Sequence, residues 1–250
     1  MKKTLKIILT VLLAIILVGA GVFYYWTQQT YEASDTLSQL VDKEDIHSEE
    51  DWLLFEPEGG ADTGVVLYPG AKVEPDAYSY YGRRLAEQGY FVAIPNLRLN
   101  LAILDLNKAE QVIEKHPEMK SWYVAGHSLG GIGATSFSMN NQDVVDGVIL
   151  LGSYPSDSTD FSDVSMPMLS IYAEHDQLTT LAKIEDTKHL LSEQAELHEI
   201  KGGNHAQFGV YGPQKGDGDA TISVEKQQNE IMHVIIEWLD QQDTTENEMQ

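Results

Sequence analysis

The chain contains no cysteine, so no disulfide braces it, the bacterial lipidation signal is excluded, and stability must come from an apolar core alone. Basic residues are scarce as well, 16 Lys and Arg against 39 Asp and Glu, which leaves a net charge of −23. That balance disfavours nucleic acid and anionic lipid surfaces as partners and is most simply a solvated acidic face. No internal repeat is visible. The one acidic, glycine-rich run, Gly216-Asp217-Gly218-Asp219, lacks the spacing of an EF-hand loop and reads as a structural turn, so no metal is expected.

A long apolar run is present once, at the N-terminus. Lys2, Lys3 and Lys6 precede an uncharged stretch from Ile7 to Phe23, closed by Tyr24-Tyr25-Trp26. Its length and its aromatic end fit a single-pass membrane anchor over residues 1–26, with the lysines inside and the rest of the protein outside the cytoplasm. A cleavable signal peptide ending near Val18-Gly19-Ala20 is the alternative. Residues 27–50 are polar and acidic and read as a stalk; residues 241–250 read as a frayed acidic tail. Between them, residues 51–240 hold about 200 residues, enough for one sizeable core.

Within 51–240, apolar runs and helical patterns alternate. Strands are expected at 52–56, 64–68, 90–95, 121–125, 146–151, 168–173 and 197–200, and helices near 76–88, 104–116, 129–139, 179–193 and 222–240. Alternation of this kind implies an α/β fold, a mostly parallel central sheet with helices on both faces. Val224, Gln228, Ile231, Val234, Ile235, Trp238 and Leu239 recur at helical spacing and belong to the core.

Gly126-His127-Ser128-Leu129-Gly130 lies between a strand-like run and a helical run rich in small residues. A serine between glycines in a strand-turn-helix setting reads as a nucleophile elbow, with Ser128 as the candidate nucleophile. A serine hydroxyl needs a base to take its proton and a carboxylate to orient that base. Asp176 follows the expected strand at 168–173, with Glu174 as the fallback acid. His205 follows Gly202-Gly203-Asn204 at the end of the next strand and is the expected base, with His175 as its rival. His127 is expected to pack or line the pocket; His47, His116, His189, His198 and His233 lie on surface or core positions. One oxyanion donor should be the N–H of Leu129, the residue after the nucleophile. The second should come from the loop that begins Pro69-Gly70-Ala71-Lys72. Leu97, Leu99, Leu101, Phe208 and Tyr211 are expected to shape an open cleft, because the polar connection 153–166 leaves no room for a lid. Arg98 is expected to be a surface ion-pair partner.

Tyr68-Pro69-Gly70-Ala71, Gly126-His127-Ser128-Leu129-Gly130-Gly131, Asp176 and Gly203-Asn204-His205 resemble the α/β-hydrolase superfamily. The stretch Asn204 to Gly209, continued by Tyr211-Gly212 and Gly216-Asp217-Gly218, is similar to small membrane-anchored bacterial members of the fold-5 type, distantly related to dienelactone hydrolases. Those use a cysteine nucleophile, for which this chain must substitute Ser128. The resemblance, over about residues 50–240, implies a three-layer fold without a lid domain and assigns the second oxyanion donor to Ala71, with Lys72 one residue away. It implies an extracytoplasmic serine hydrolase acting on an ester or related acyl compound, with no cofactor. Thioesterase or peptidase chemistry would use the same parts. A silent hydrolase-like domain that binds a cell-envelope partner is the reading from another class. Oligomeric state is not legible.

Overall fold

The computed structural model describes residues 2–42, 46–49 and 51–249. Its centre is an eight-stranded sheet of β1 (His47–Glu49), β2 (Trp52–Phe55), β3 (Thr63–Tyr68), β4 (Phe91–Pro95), β5 (Ser121–His127), β6 (Gly147–Leu151), β7 (Met168–Ala173) and β8 (Ala195–Ile200). The spatial order is β1-β2-β4-β3-β5-β6-β7-β8. β1 and β2 run antiparallel to their neighbours, and every pairing from β4 to β8 is parallel. Parallel strands need covered faces, and the five from β3 to β7 are accordingly near-continuous apolar runs.

Helices α1 (Lys2–Thr27), α2 (Leu37–Leu40), α3 (Ser79–Ala86), α4 (Lys108–Lys115), α5 (Leu129–Asn140), α6 (Leu181–Thr187) and α7 (Val224–Met249) complete the chain. Two apolar clusters cover the two faces. One gathers α3 and α7 with Leu37 and Val41; the other gathers α4, α5 and the loop residues Phe161 and Met166. Ile231, Ile235, Trp238 and Leu239 face inward from α7, and Trp238 meets Tyr123 edge-on at 5.6 Å. The connection 153–166 forms neither helix nor strand.

Two segments differ from the sequence reading. Residues 27–50, expected as a stalk, lie largely against the domain, although Lys43, Glu44, Asp45 and Glu50 fall outside the described residues. Tyr31 N–H donates to the Lys72 carbonyl (2.6 Å), Ser34 N–H donates to that of Val210 (2.8 Å), and β1 adds an edge strand to β2. The physical reason is a set of isolated apolar residues, Leu37 and Val41 above all, that are buried despite their acidic surroundings. At the other end, α7 continues through Met249 where a frayed tail was expected. Glu, Gln and Met favour helix, and Tyr90 Oη donates to Asp240 and Asp243 (3.0 and 3.1 Å). Gln250 lies outside the described residues.

α3 approaches β2 closely enough that a Cβ on Gly82 would lie 2.2 Å from the Phe55 ring. Gly82→Ala should therefore overpack the face between them and lower the unfolding free energy by about 1–3 kcal/mol, measured by urea titration of the circular dichroism signal. An unchanged midpoint would mean that the ring moves aside without cost.

Candidate active site

All strands from β3 to β8 end at the same edge of the sheet, so the loops that leave them meet there. Ser128 stands between β5 and α5 with φ 52° and ψ −120°, a conformation that a residue with a side chain holds only when its neighbours impose it. Ser128 N–H donates to the Leu151 carbonyl (3.0 Å), and Ser153 Oγ donates to the Ser128 carbonyl (2.7 Å). The turn is thus tied to the end of β6 from both sides. Gly131 lets it close, since a Cβ there would lie 2.2 Å from Ser153 Oγ.

From the loop after β7, Asp176 reaches inward and is buried, as is His205 from the loop after β8. His205 Nδ1 and Asp176 Oδ2 are 2.7 Å apart. The other carboxylate oxygen, Oδ1, accepts the N–H groups of Leu178 (2.8 Å) and Thr179 (2.6 Å). Both carboxylate oxygens are thus occupied by donors, and the Oδ2 contact holds the imidazole with its proton on Nδ1, which leaves Nε2 as an acceptor. Glu174, the fallback acid, instead accepts the Gly202 N–H (2.9 Å). His175 contributes its backbone N–H to the Gly203 carbonyl (2.8 Å), tying the acid loop to the histidine loop.

His205 Nε2 is buried without a hydrogen bond, so its contact to Ser128 Oγ is not closed in this structure. Such contacts are often long in a free enzyme and tighten when substrate binds. The histidine itself is firmly held. Asp217 accepts the N–H groups of His205 (3.2 Å) and Ala206 (2.8 Å), and Gln227 Oε1 accepts that of Asn204 (3.0 Å). The Gly216–Asp219 run therefore serves as a clamp on the histidine loop. Its role was not legible beyond a turn, because the glycines mark a bend but not what the carboxylate between them grasps.

His127 is buried beside this pair, its ring centre 4.6 Å from that of His205. Tyr78 Oη accepts the Gly70 N–H (2.9 Å) and lies 2.7 Å from His127 Nδ1, so the phenol proton is the one directed at the imidazole. Burial, with the neighbouring His205 charge, drives the His127 pKa well below the usual histidine value. Burial also raises the Tyr78 phenol far above its ordinary range. Both groups are neutral, and a neutral His127 spares His205 a second positive charge nearby. Nothing in the sequence pattern marks Tyr78, a helical-region tyrosine like several others.

The loop after β3 discriminates among the expected oxyanion donors. Gly70 N–H is taken by Tyr78, and Lys72 N–H is taken by the Asn100 carbonyl (2.8 Å). Ala71 N–H, between them, has no partner among the described residues. Leu129 opens α5, where helical N–H groups lack a carbonyl within the helix. The apolar cleft wall is a different matter: Leu97, Leu101, Phe208 and Tyr211 are buried and only Leu99 is partly exposed. The correction has a packing cause, since Phe208 and Tyr211 lie against His127 at 5.7 and 6.3 Å. Arg98 pairs with Asp105 at the surface (3.4 Å). Among the described residues no cluster of three or more His, Asp or Glu side chains offers a metal site.

A model of the α/β-hydrolase family matches residues 64–229. This chain is an α/β-hydrolase. No curated protein matches it. Among solved structures the hydrolase is similar to MGS-MChE2, an α/β-hydrolase enzyme from the metagenome of sediments from the lagoon of Mar Chica, Morocco. That likeness has a TM-score of 0.59 at 18% identity, covering 79% of this chain and 99% of the other, and speaks to fold.

The buried neutral His127 makes the hydrolase's stability sensitive to acid. Below about pH 6.5 an unfolded histidine takes up a proton that the folded one refuses, so this stability is fully present above that pH and drains away as pH falls toward the folded value. Below about pH 6.5, the slope of unfolding free energy against pH should be steeper in wild type than in His127→Gln by roughly 1.4 kcal/mol per pH unit. Equal slopes in the two proteins, followed by chemical denaturation, would show that His127 takes up its proton without penalty.

Proposed function

We propose that this hydrolase cleaves a carboxylic ester or related acyl compound through an acyl-enzyme on Ser128, with its domain held outside the cytoplasm by α1. The observation that carries the reading is the 2.7 Å contact between buried Asp176 and His205, at the sheet edge where Ser128 is held at φ 52°. Ser128 Oγ attacks the acyl carbon while His205 Nε2 takes its proton. The carbonyl oxygen gains charge and is met by the N–H groups of Ala71 and Leu129. The tetrahedral species collapses, the acyl–oxygen bond breaks, and the alcohol leaves with the proton from His205. Water then repeats the sequence against the acyl-enzyme, releasing the acid and restoring Ser128. Asp176 keeps the imidazole oriented and stabilises its cationic form without accepting the proton.

The anchor half of the proposal rests on α1, a 26-residue helix with an 18-residue stretch of mean hydropathy 2.7 that is exposed throughout. Lysines at its start favour a cytoplasmic N-terminus.

Ser128→Ala should reduce ester turnover by several orders of magnitude with little change in thermal midpoint, His205→Ala should cost about as much, and the combination should add little, since the triad acts as a unit. A fluorophosphonate probe should label wild type at Ser128 and not label Ser128→Ala. A folded wild type that neither labels nor turns over any simple ester, thioester or amide would replace this reading with that of a binding domain. Asp217→Ala, which frees the N–H groups of His205 and Ala206 without touching substrate, should slow turnover by roughly 10- to 100-fold through misplacement of the base. Full activity in that variant would assign the hold on His205 to Gln227 and Asp176 alone.

A further inference from the structure

The end of α1 is fastened to the loops that build the candidate site. Lys72 Nζ donates to the Trp26 carbonyl (3.2 Å) and lies 4.4 Å from the centre of the Trp26 ring. Asn100 Nδ2 donates to the Thr27 carbonyl (3.1 Å), while the Asn100 carbonyl holds Lys72 N–H. Lys72, Leu99 and Asn100 all have positive φ (61°, 52° and 56°), so these two loops are bent to meet the helix end and each other. Tyr31 is already bonded to Lys72 and Glu74. Gln28 to Thr30, the only residues left between helix and domain, can span about 10 Å at most. The domain therefore has no stalk on which to stand away from the bilayer. Ala71, next to Lys72, is held at about the level where the aromatic end of α1 meets the headgroups.

The exposed apolar side chains point the same way. Outside α1, the large apolar residues exposed among the described residues are Ile103, Leu104, Val144, Leu178 and Leu181. Ile103 and Leu104 lie beyond the site end of β4, and Leu178 and Leu181 lie beyond the site end of β7, flanking Ser128 on both sides. Val144 alone lies at the opposite edge, between α5 and β6. Scattered exposed apolar residues need no explanation, but these pairs flank a site that the anchor already holds at the membrane.

We propose that this rim of the hydrolase lies on the bilayer and that its substrate is a membrane-resident acyl ester, its chain in the lipid and its ester group at headgroup depth. The inference rests on the anchored serine-hydrolase reading above and adds the source and class of the substrate. The acidic net charge sets the surface: contact is apolar and with neutral headgroups, since an anionic surface would repel the domain.

The absence of cysteine makes the test clean, because Ile103→Cys, Leu178→Cys and Val144→Cys each introduce a single thiol for a fluorophore. With the full chain in phosphatidylcholine vesicles, nitroxide-labelled lipid should quench the probe at 103 and 178 and leave the one at 144 unaffected. Quenching that is equal at all three positions overturns the proposal. In the same vesicles, a flexible spacer of about 20 residues between Gln28 and Gln29 should slow cleavage of a long-chain diacyl ester by at least about tenfold, as the local concentration of substrate at the site falls. Cleavage of a water-soluble acetyl ester should hold, which also reports that the variant is folded. Equal effects on both esters overturn the membrane source of substrate. Protein that washes off the vesicles in alkaline carbonate overturns the anchor itself. Lipid quenching at 103 and 178 without cleavage of either ester overturns the hydrolase chemistry and the substrate with it.

Discussion

A Cβ on Gly126 would lie 2.3 Å from the carbonyl carbon of Gly130, and one on Gly130 would lie 2.1 Å from the carbonyl oxygen of Tyr68. Backbone meets backbone at these places, with no flexible side chain to move aside, so α5 begins where it does only because both residues lack a side chain. The rest of the site follows from that approach. The start of α5 is thereby pressed against the Tyr68 and Pro69 carbonyls at the end of β3. The serine between β5 and α5 is left with no relaxed conformation to adopt.

The polar groups around this elbow are arranged by burial more than by exposed charge. Asp176 is out of water, yet two backbone N–H donors and an imidazole satisfy its side chain, where an unpaired buried carboxylate would be severely penalised. His127 and Tyr78 lie as deep and solve the same problem by staying neutral. The His205 imidazole is thus hydrogen-bonded to a carboxyl group through one nitrogen and faces a neutral ring beside it.

The parallel strands from β3 to β7 were legible because a buried parallel strand is a continuous apolar run, and Ser128, Asp176 and His205 were singled out because each lies in the segment that follows a strand. β1 was not: His47-Ser48-Glu49 has no apolar alternation, and it lies antiparallel on β2 as an edge strand. Leu37 and Val41 were hidden for a related reason, since two apolar residues in an acidic stretch carry no period. Leu97, Leu101, Phe208 and Tyr211 were read correctly as apolar and wrongly as cleft wall, because hydrophobicity does not say which side of a loop faces the protein. Tyr78, Asn100 and the grip of Asp217 depend on contacts between distant segments, which no local pattern encodes.

The two faces of the sheet draw on different stretches of the chain. The cluster holding α4 and α5 uses residues from Trp52 to Leu197, whereas the cluster beneath α3 needs Leu37 and Val41 from the beginning and Ile231 to Leu239 from the end. The second face cannot close until segments about 200 residues apart in the chain, the span from Leu37 to Leu239, have met. Contacts of such long separation form late in folding, so this face is the one left bare while the other assembles.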